Sequence, residues 1–291
     1  MKKQNLLLLY PCLFFFALLT LRLSAQQIIP SDTVVYRQVG KDSLKVYIFK
    51  PDNVGGKHPA ILLFHGGAWR LGDASWMFGR AREFAEKGMV AFAVDYRLAN
   101  NGLTPVEGVE DACAAFTWVR QHAKEFNIDT KKVAGYGVSA GGHLVACAAS
   151  LPIIRGQEVS MQARPNAMLL YCAALNMEHD KYFNAIMQGK DDPAKYSPSA
   201  YITNKLPPLL IIDGEKDSIT FASDAVAFYN EAIKTGTKCN IQIYPGVGHM
   251  LTRNLKVQYK DFDADPAFVA DAHKREDDFL EKLGYYKNDH K

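Results

Sequence analysis

Ser139 stands in the stretch GYGVSAGGHL, residues 135–144, surrounded by Gly135, Gly137, Gly141 and Gly142. The apolar residues 133–134 before it read as part of a buried strand, and the run from Ala140 reads as a helix. G-x-S-x-G between a strand and a helix makes a very sharp turn, and small residues two positions either side of the serine let neighbouring backbone pass. The hydroxyl is then held above the sheet edge beside the free N–H groups of the helix, placed to act as a nucleophile. The same glycines are spaced G-x-G-x-x-x-G, close to a dinucleotide-binding fingerprint, but no acidic residue ends a following strand at the required distance.

A serine hydroxyl is a poor nucleophile until a base takes its proton, so a histidine and an orienting carboxylate are required. His249, in YPGVGHM, follows the candidate strand 239–244 in a glycine-containing loop. Asp217, in IIDGEKDSIT, follows the candidate strand 209–212 and precedes a helix. Asp213 and Glu215 compete for the same role; Asp213 falls at the strand end, where it braces the turn, while Asp217 reaches further along the loop. In the expected arrangement Asp217 receives the Nδ1 proton of His249, leaving Nε2 to take the proton of Ser139. His143 lies behind Ser139 on the helix and is expected to pack there. His58, His122, His179, His273 and His290 show no ligand spacing with one another or with the cysteines, so no metal is expected.

Attack on a carbonyl develops negative charge on its oxygen, which backbone N–H groups must meet. Ala140, directly after the serine, offers one donor. FHGGAW, residues 64–69, follows another apolar strand and offers the second through Gly66 and Gly67. His65 is expected to shape this loop by hydrogen bonding. Trp69 and Trp76 are candidates either for lining the substrate mouth or for anchoring loops.

These residues need a scaffold that brings strand ends together. DTVVYRQVG and LKVYIFKP suit an antiparallel hairpin. The strand 60–64 is wholly apolar, as in a sheet covered on both faces. The pattern then alternates: a helix near 75–87, the strand MVAFAVDY, a helix over 106–126, the strand KVAGYG, and the helix from Ala140. AMLLYCA, PPLLIIDG and CNIQIYPG are further strands, and a helix over 266–283 closes the chain before Gly284. Such interleaving predicts an α/β fold. Residues 151–166, 174–207 and 250–265 are irregular and are the expected site-shaping loops.

The first residues differ from the rest. Lys2 and Lys3 precede an apolar run over 6–21, and LSA at 23–25 supplies small residues for cleavage, which predicts an exported chain with a signal peptide over 1–25 and one domain over 26–291. The run is short for a membrane span and contains Pro11, so no permanent anchor is expected. Cleavage would remove Lys2, Lys3 and Arg22 and no acidic residue, bringing the formal net charge from +3 to zero. Nothing in that balance points to nucleic acid. Cys113, Cys147, Cys172 and Cys239 are widely spaced in apolar segments; buried free thiols are the expectation, with their pairing left open, as is the oligomeric state.

Taken together, HGGAW, DYRL at 95–98, GVSAGGHL at 137–144, DGEKD at 213–217 and GVGH at 246–249 resemble the α/β-hydrolase superfamily. Within it the chain is similar to hormone-sensitive-lipase-like esterases and to bacterial acetyl-xylan and feruloyl esterases, over about residues 45–285. The resemblance implies an α/β-hydrolase fold with a mostly parallel central sheet of about eight strands and helices on both faces. It implies Ser139 as nucleophile, His249 as base and then acid, Asp217 as its orienter, Asp95 and Arg97 as structural residues at a strand end, and no organic or metal cofactor. Val138 stands where lipase-like members often carry an acidic residue, Asn100 and Asn101 replace Pro-Glu, and residues 32–50 read as strands rather than a helical cap. A thinner lid and export favour a short acyl ester on a small-molecule or polysaccharide carbohydrate as substrate. A general carboxylesterase, a serine peptidase and a non-catalytic binding protein are the alternatives.

Overall fold

Alternating exposed and buried side chains make DTVVYRQV and DSLKVYIF into two strands, β1 (Asp32–Val39) and β2 (Asp42–Phe49), paired antiparallel about a turn at Gly40. The computed structural model describes residues 28–52, 55–202, 206–260 and 262–286; the leader expected over 1–25 lies outside them. Along the chain follow β3 (His58–Phe64), α1 (Phe78–Glu86), β4 (Val90–Val94), α2 (Pro105–Gln121), β5 (Ile128–Val138) and α3 (Ala140–Ser150). A small hairpin, β6 (Ile153–Ile154) and β7 (Gln157–Glu158), precedes β8 (Ala167–Tyr171) and α4 (Lys181–Ile186). The remainder is β9 (Leu209–Gly214), α5 (Ala222–Lys234), β10 (Cys239–Tyr244) and α6 (Pro266–Lys282).

Among the described residues eight strands form one sheet in the order β1-β2-β4-β3-β5-β8-β9-β10. The β1–β2 and β2–β4 pairings are antiparallel and all others parallel. The period of two along each strand divides the core. Leu62 and Phe64 of β3 pack with α2, α3 and α5 on one face, while Ile61 and Leu63 pack with α1 and α6 on the other. Each such leucine or isoleucine contributes about 1.5–3 kcal/mol by leaving water. Helices on both faces of a largely parallel sheet, with no large N-terminal cap among the described residues, make this the α/β-hydrolase fold.

Two element boundaries depart from the sequence pattern. The helix expected over 75–87 opens with a single 3₁₀ turn, Ala74–Met77, capped by Asp73 through the Ser75 N–H, and becomes α-helical from Phe78 to Glu86 as α1. The helix expected over 106–126 begins at Pro105, where the Glu107 carboxylate accepts the Thr104 N–H at 2.8 Å in a capping box. It ends at Gln121 because Phe126, which keeps the apolar period, instead packs from a turn against Phe92 and Trp118. Asn127 then takes φ of 54° to deliver the chain to β5.

All parallel strands end at one edge, so the loops after β3, β5, β8, β9 and β10 meet there. The cysteines Cys113, Cys147, Cys172 and Cys239 are free thiols, two of them buried and two half-buried. No helix among the described residues is long and apolar enough to cross a membrane.

Candidate active site

Ser139 occupies the turn between β5 and α3 with φ of 52° and ψ of −117°, the strained conformation that the glycine pattern predicts. The flanking glycines are required by space. A Cβ at Gly137 would overlap the carbonyl of Gly141, and one at Gly141 would overlap the carbonyl of Phe64 at the end of β3. The two strand ends and the first turn of α3 therefore meet in backbone contact around the hydroxyl.

The loops after β9 and β10 bring the other two residues to it. His249 Nε2 lies 3.1 Å from Ser139 Oγ, and its Nδ1 lies 2.7 Å from Asp217 Oδ2. All three are buried. Asp217 Oδ1 accepts the N–H groups of Ile219 and Thr220, each at 2.8 Å. Burial opposes the charge on Asp217, but the hydrogen bond from His249 and those two N–H groups outweigh it and hold the carboxyl below its ordinary pKa. A carboxylate that stays ionised keeps the Nδ1–H tautomer of His249 and so leaves Nε2 free to accept the serine proton. This is the geometry of a serine-hydrolase triad.

The two competing carboxyls do not reach the imidazole of His249. Asp213 turns its Oδ1 to the N–H of Gly214 at 2.7 Å, and Glu215 reaches the N–H of Gly246 at 2.9 Å. Both brace turns.

The loop after β3 sits against the serine: a Cβ on Gly66 would stand 3.3 Å from the Ser139 Cβ. Gly67 has φ of 113°, and a side chain there would meet the Leu71 carbonyl, so the fold-back that carries these N–H groups needs glycine. Leu71 and Arg70 donate to the Gly67 carbonyl and lock the loop. Gly66, Gly67 and Ala140 donate to no other acceptor among the described residues, which leaves their N–H groups available to an oxyanion.

His65 is a loop-shaping residue. Its Nδ1 lies 2.5 Å from the Gly66 carbonyl, its ring stacks on Tyr96 at 4.5 Å, and the Tyr96 hydroxyl donates to its carbonyl at 2.8 Å. Burial lowers its pKa. Trp69 is only 5% exposed and its indole N–H donates to His143 Nδ1 at 3.1 Å, so it anchors the loop rather than lining a mouth. His143 is wholly buried behind the serine, its pKa lowered by burial to about 4. Trp76 is 56% exposed, edge-on to His65. Asp95 and Arg97 act separately: Asp95 Oδ1 accepts the Ala74 N–H at 3.4 Å, and Arg97 makes a two-pronged ion pair with Asp111 at 2.8 and 2.9 Å.

Two residues absent from the sequence-based candidates hold the site together. The Thr220 hydroxyl is 2.9 Å from the Cys172 carbonyl and 3.0 Å from Asp217 Oδ2, bridging the ends of β8 and β9. Gln258, buried in the irregular segment 250–265, accepts the N–H of His249 at 2.9 Å and of Ser218 at 3.1 Å, while its Nε2 donates to the Lys216 carbonyl at 2.9 Å. One amide thus clamps the histidine loop to the aspartate loop. The DSI-T spacing after Asp217 offers a turn signal for Thr220; Gln258 carries none.

A cavity of about 220 Å³ opens beside the triad, lined by Ala173, Ala174, Met177, Ile219, Phe221 and Asp224 among others. It adjoins Ser139, whose carbonyl accepts the Ala174 N–H at 3.3 Å.

Comparison with known proteins agrees with this reading. A family model described as BD-FAE matches residues 46–164, which include Gly66, Gly67 and Ser139 but stop short of Asp217 and His249. A probable isoprenylcysteine alpha-carbonyl methylesterase of Arabidopsis thaliana is 26% identical over 242 residues, 75% of this chain and 50% of the relative. An acetylxylan esterase of Xylanibacter ruminicola is 28% identical over 226 residues, 73% of this chain and 45% of the relative. The chain thus spans about half the length of the curated relatives it matches. Esterase 2 of the planctomycete Thermogutta terrifontis superposes with a TM-score of 0.79 at 27% identity, covering 91% of this chain and 96% of that one. Structures of that esterase have been solved with butyrate bound, with propionate bound, phosphonylated by sarin and phosphorylated by paraoxon.

Proposed function

We propose that this α/β-hydrolase chain, related to feruloyl- and acetyl-xylan-esterase-like bacterial esterases, is a serine esterase of small acyl or aryl esters. The observation that carries the reading is the linear run Ser139 Oγ, His249 Nε2, His249 Nδ1, Asp217 Oδ2, with contacts of 3.1 and 2.7 Å. Ser139 Oγ attacks the ester carbonyl as His249 takes its proton. The N–H groups of Ala140 and of Gly66 or Gly67 receive the oxyanion. His249 returns the proton to the departing alcohol, leaving an acyl-serine. A water molecule, deprotonated by the same histidine, then releases the acid and restores the Ser139 hydroxyl.

The adjoining cavity of about 220 Å³ has room for a short acyl group. The butyrate- and propionate-bound forms of the T. terrifontis esterase support a short acyl group here too. They favour a general carboxylesterase over the carbohydrate-restricted enzyme expected first from sequence. The narrower reading, an acetyl or related ester carried on a sugar, draws on the BD-FAE match and the acetylxylan esterase relative. Export after removal of residues 1–25 belongs to the same proposal.

A panel of p-nitrophenyl acetate, butyrate and octanoate with acetylated xylan tests it. Turnover of acetate and butyrate well above octanoate is the expected result. Acetyl release from xylan at a comparable rate would support the narrower reading, and preference for octanoate would overturn the short-chain assignment.

A further inference from the structure

The carboxyl group of Asp213 closes β9 in complete burial. Its Oδ1 accepts the Gly214 N–H at 2.7 Å, but its Oδ2 receives no N–H or O–H from any described residue. What faces it is another acceptor, the carboxyl of Asp217, together with the Cys172 thiol at the end of β8. The Cys172 sulfur also accepts the N–H of Met250, the residue after His249. A second carboxylate in this position would be a buried charge whose only donor beyond the Gly214 N–H is the weak S–H of Cys172, set against the like charge that the triad needs.

We propose that Asp213 is a neutral acid whose Oδ2–H donates to the Asp217 carboxylate, which makes it a positioning residue for the triad. One proton then answers both anomalies: the orphan oxygen becomes a donor, and the pair carries one negative charge rather than two. Burial foremost, and then the charge of Asp217, push the Asp213 carboxyl well above the usual range, whereas Asp217 stays below it. The N–H groups of Ile219 and Thr220 hold Asp217 Oδ1, while His249, Asp213 and a Thr220 hydroxyl shared with the Cys172 carbonyl gather about the rest of the carboxylate. Its plane is then fixed, and so is the imidazole that it aims at Ser139. No proton is transferred from Asp213 during turnover; its role is orientation and dispersal of the Asp217 charge.

The inference rests on the triad reading, and two measurements separate them. An infrared band of a protonated carboxyl, recorded on resting full-length protein at pH 7 and lost in Asp213→Asn, reports the proton without any ester. In kinetics, Asp213→Leu removes the donor and is expected to lower kcat by roughly tenfold or more. KM should change little and the pH profile should move upward, because undispersed charge on Asp217 favours the imidazolium. Asp213→Asn restores a donor to Asp217 and an acceptor for Gly214, and is expected to recover most of kcat and the original profile. The proposal is overturned if no protonated band exists, if the asparagine variant is as impaired as the leucine one, or if the leucine variant behaves as the wild type. Should the leucine variant fail to fold, the band and the asparagine variant decide alone. A wild-type protein that shows the band but cleaves no ester would count against the esterase reading only.

Discussion

Ser139 is useful as a nucleophile only if its proton has a fixed destination, and that destination is held by contacts between loops far apart in sequence. Gln258 is the clearest case, because its amide oxygen holds the His249 N–H and its amide nitrogen holds the Lys216 carbonyl. Gln258→Leu keeps the bulk and removes the clamp. It is expected to lower kcat by roughly 10–100-fold with little change in KM, since a displacement near 1 Å at the reacting groups has that effect; steady-state kinetics check it. Ser139, Asp217, His249 and the paired glycines 66 and 67 were legible because each ends a strand or opens a turn, where sequence carries a strong local signal. Thr220 and Gln258 were not, since a polar residue in an irregular segment has no period, and its partners are set by tertiary contact. The choice of Asp217 over Asp213 rested on reach along the loop, and the two side chains do point to different partners, His249 and Gly214.

Elements place these residues, and α2 shows what their ends depend on. Glu107 caps α2 through Thr104 and pairs with Arg155 at 2.5 Å. Burial works against its charge, but the bonds from Arg155 and Thr104 outweigh it and lower its pKa from 4.5 to about 2. A depressed carboxyl contributes stability above its unfolded pKa and loses it as pH falls through the folded one. Glu107→Gln keeps the capping acceptor but loses the charge paired with Arg155, so it is expected to be destabilised at pH 7 by roughly 0.5–1 kcal/mol, the scale of a partly exposed ion pair, with the gap to wild type closing between pH 4.5 and 2. Urea unfolding at several pH values measures this. The strands were legible from apolar runs and turn residues. The start of α2 was readable to within one residue from its apolar face, whereas its end was not, because Phe126 extends the helical period while packing from a turn.

At the scale of the whole molecule, the sheet holds the site only while both helical layers stay attached. On the face of α1 and α6 the link is polar as well as apolar: Arg80 donates to Glu276 at 2.6 Å and to Glu83 at 2.5 Å, all but enclosed against Phe84. Removing one member leaves a buried charge without its partner, so Arg80→Ala is expected to cost about 3–5 kcal/mol in denaturant unfolding. The central claim, that the molecule assembles one activated serine, is tested most directly by a covalent probe. Paraoxon treatment followed by peptide mass spectrometry is expected to place a single phosphoryl adduct on Ser139, with p-nitrophenyl acetate turnover lost in proportion. Ser139→Ala should take up no label and lose activity on the order of 10⁴–10⁶-fold. Label on another residue, or turnover that survives Ser139→Ala, would contradict the account.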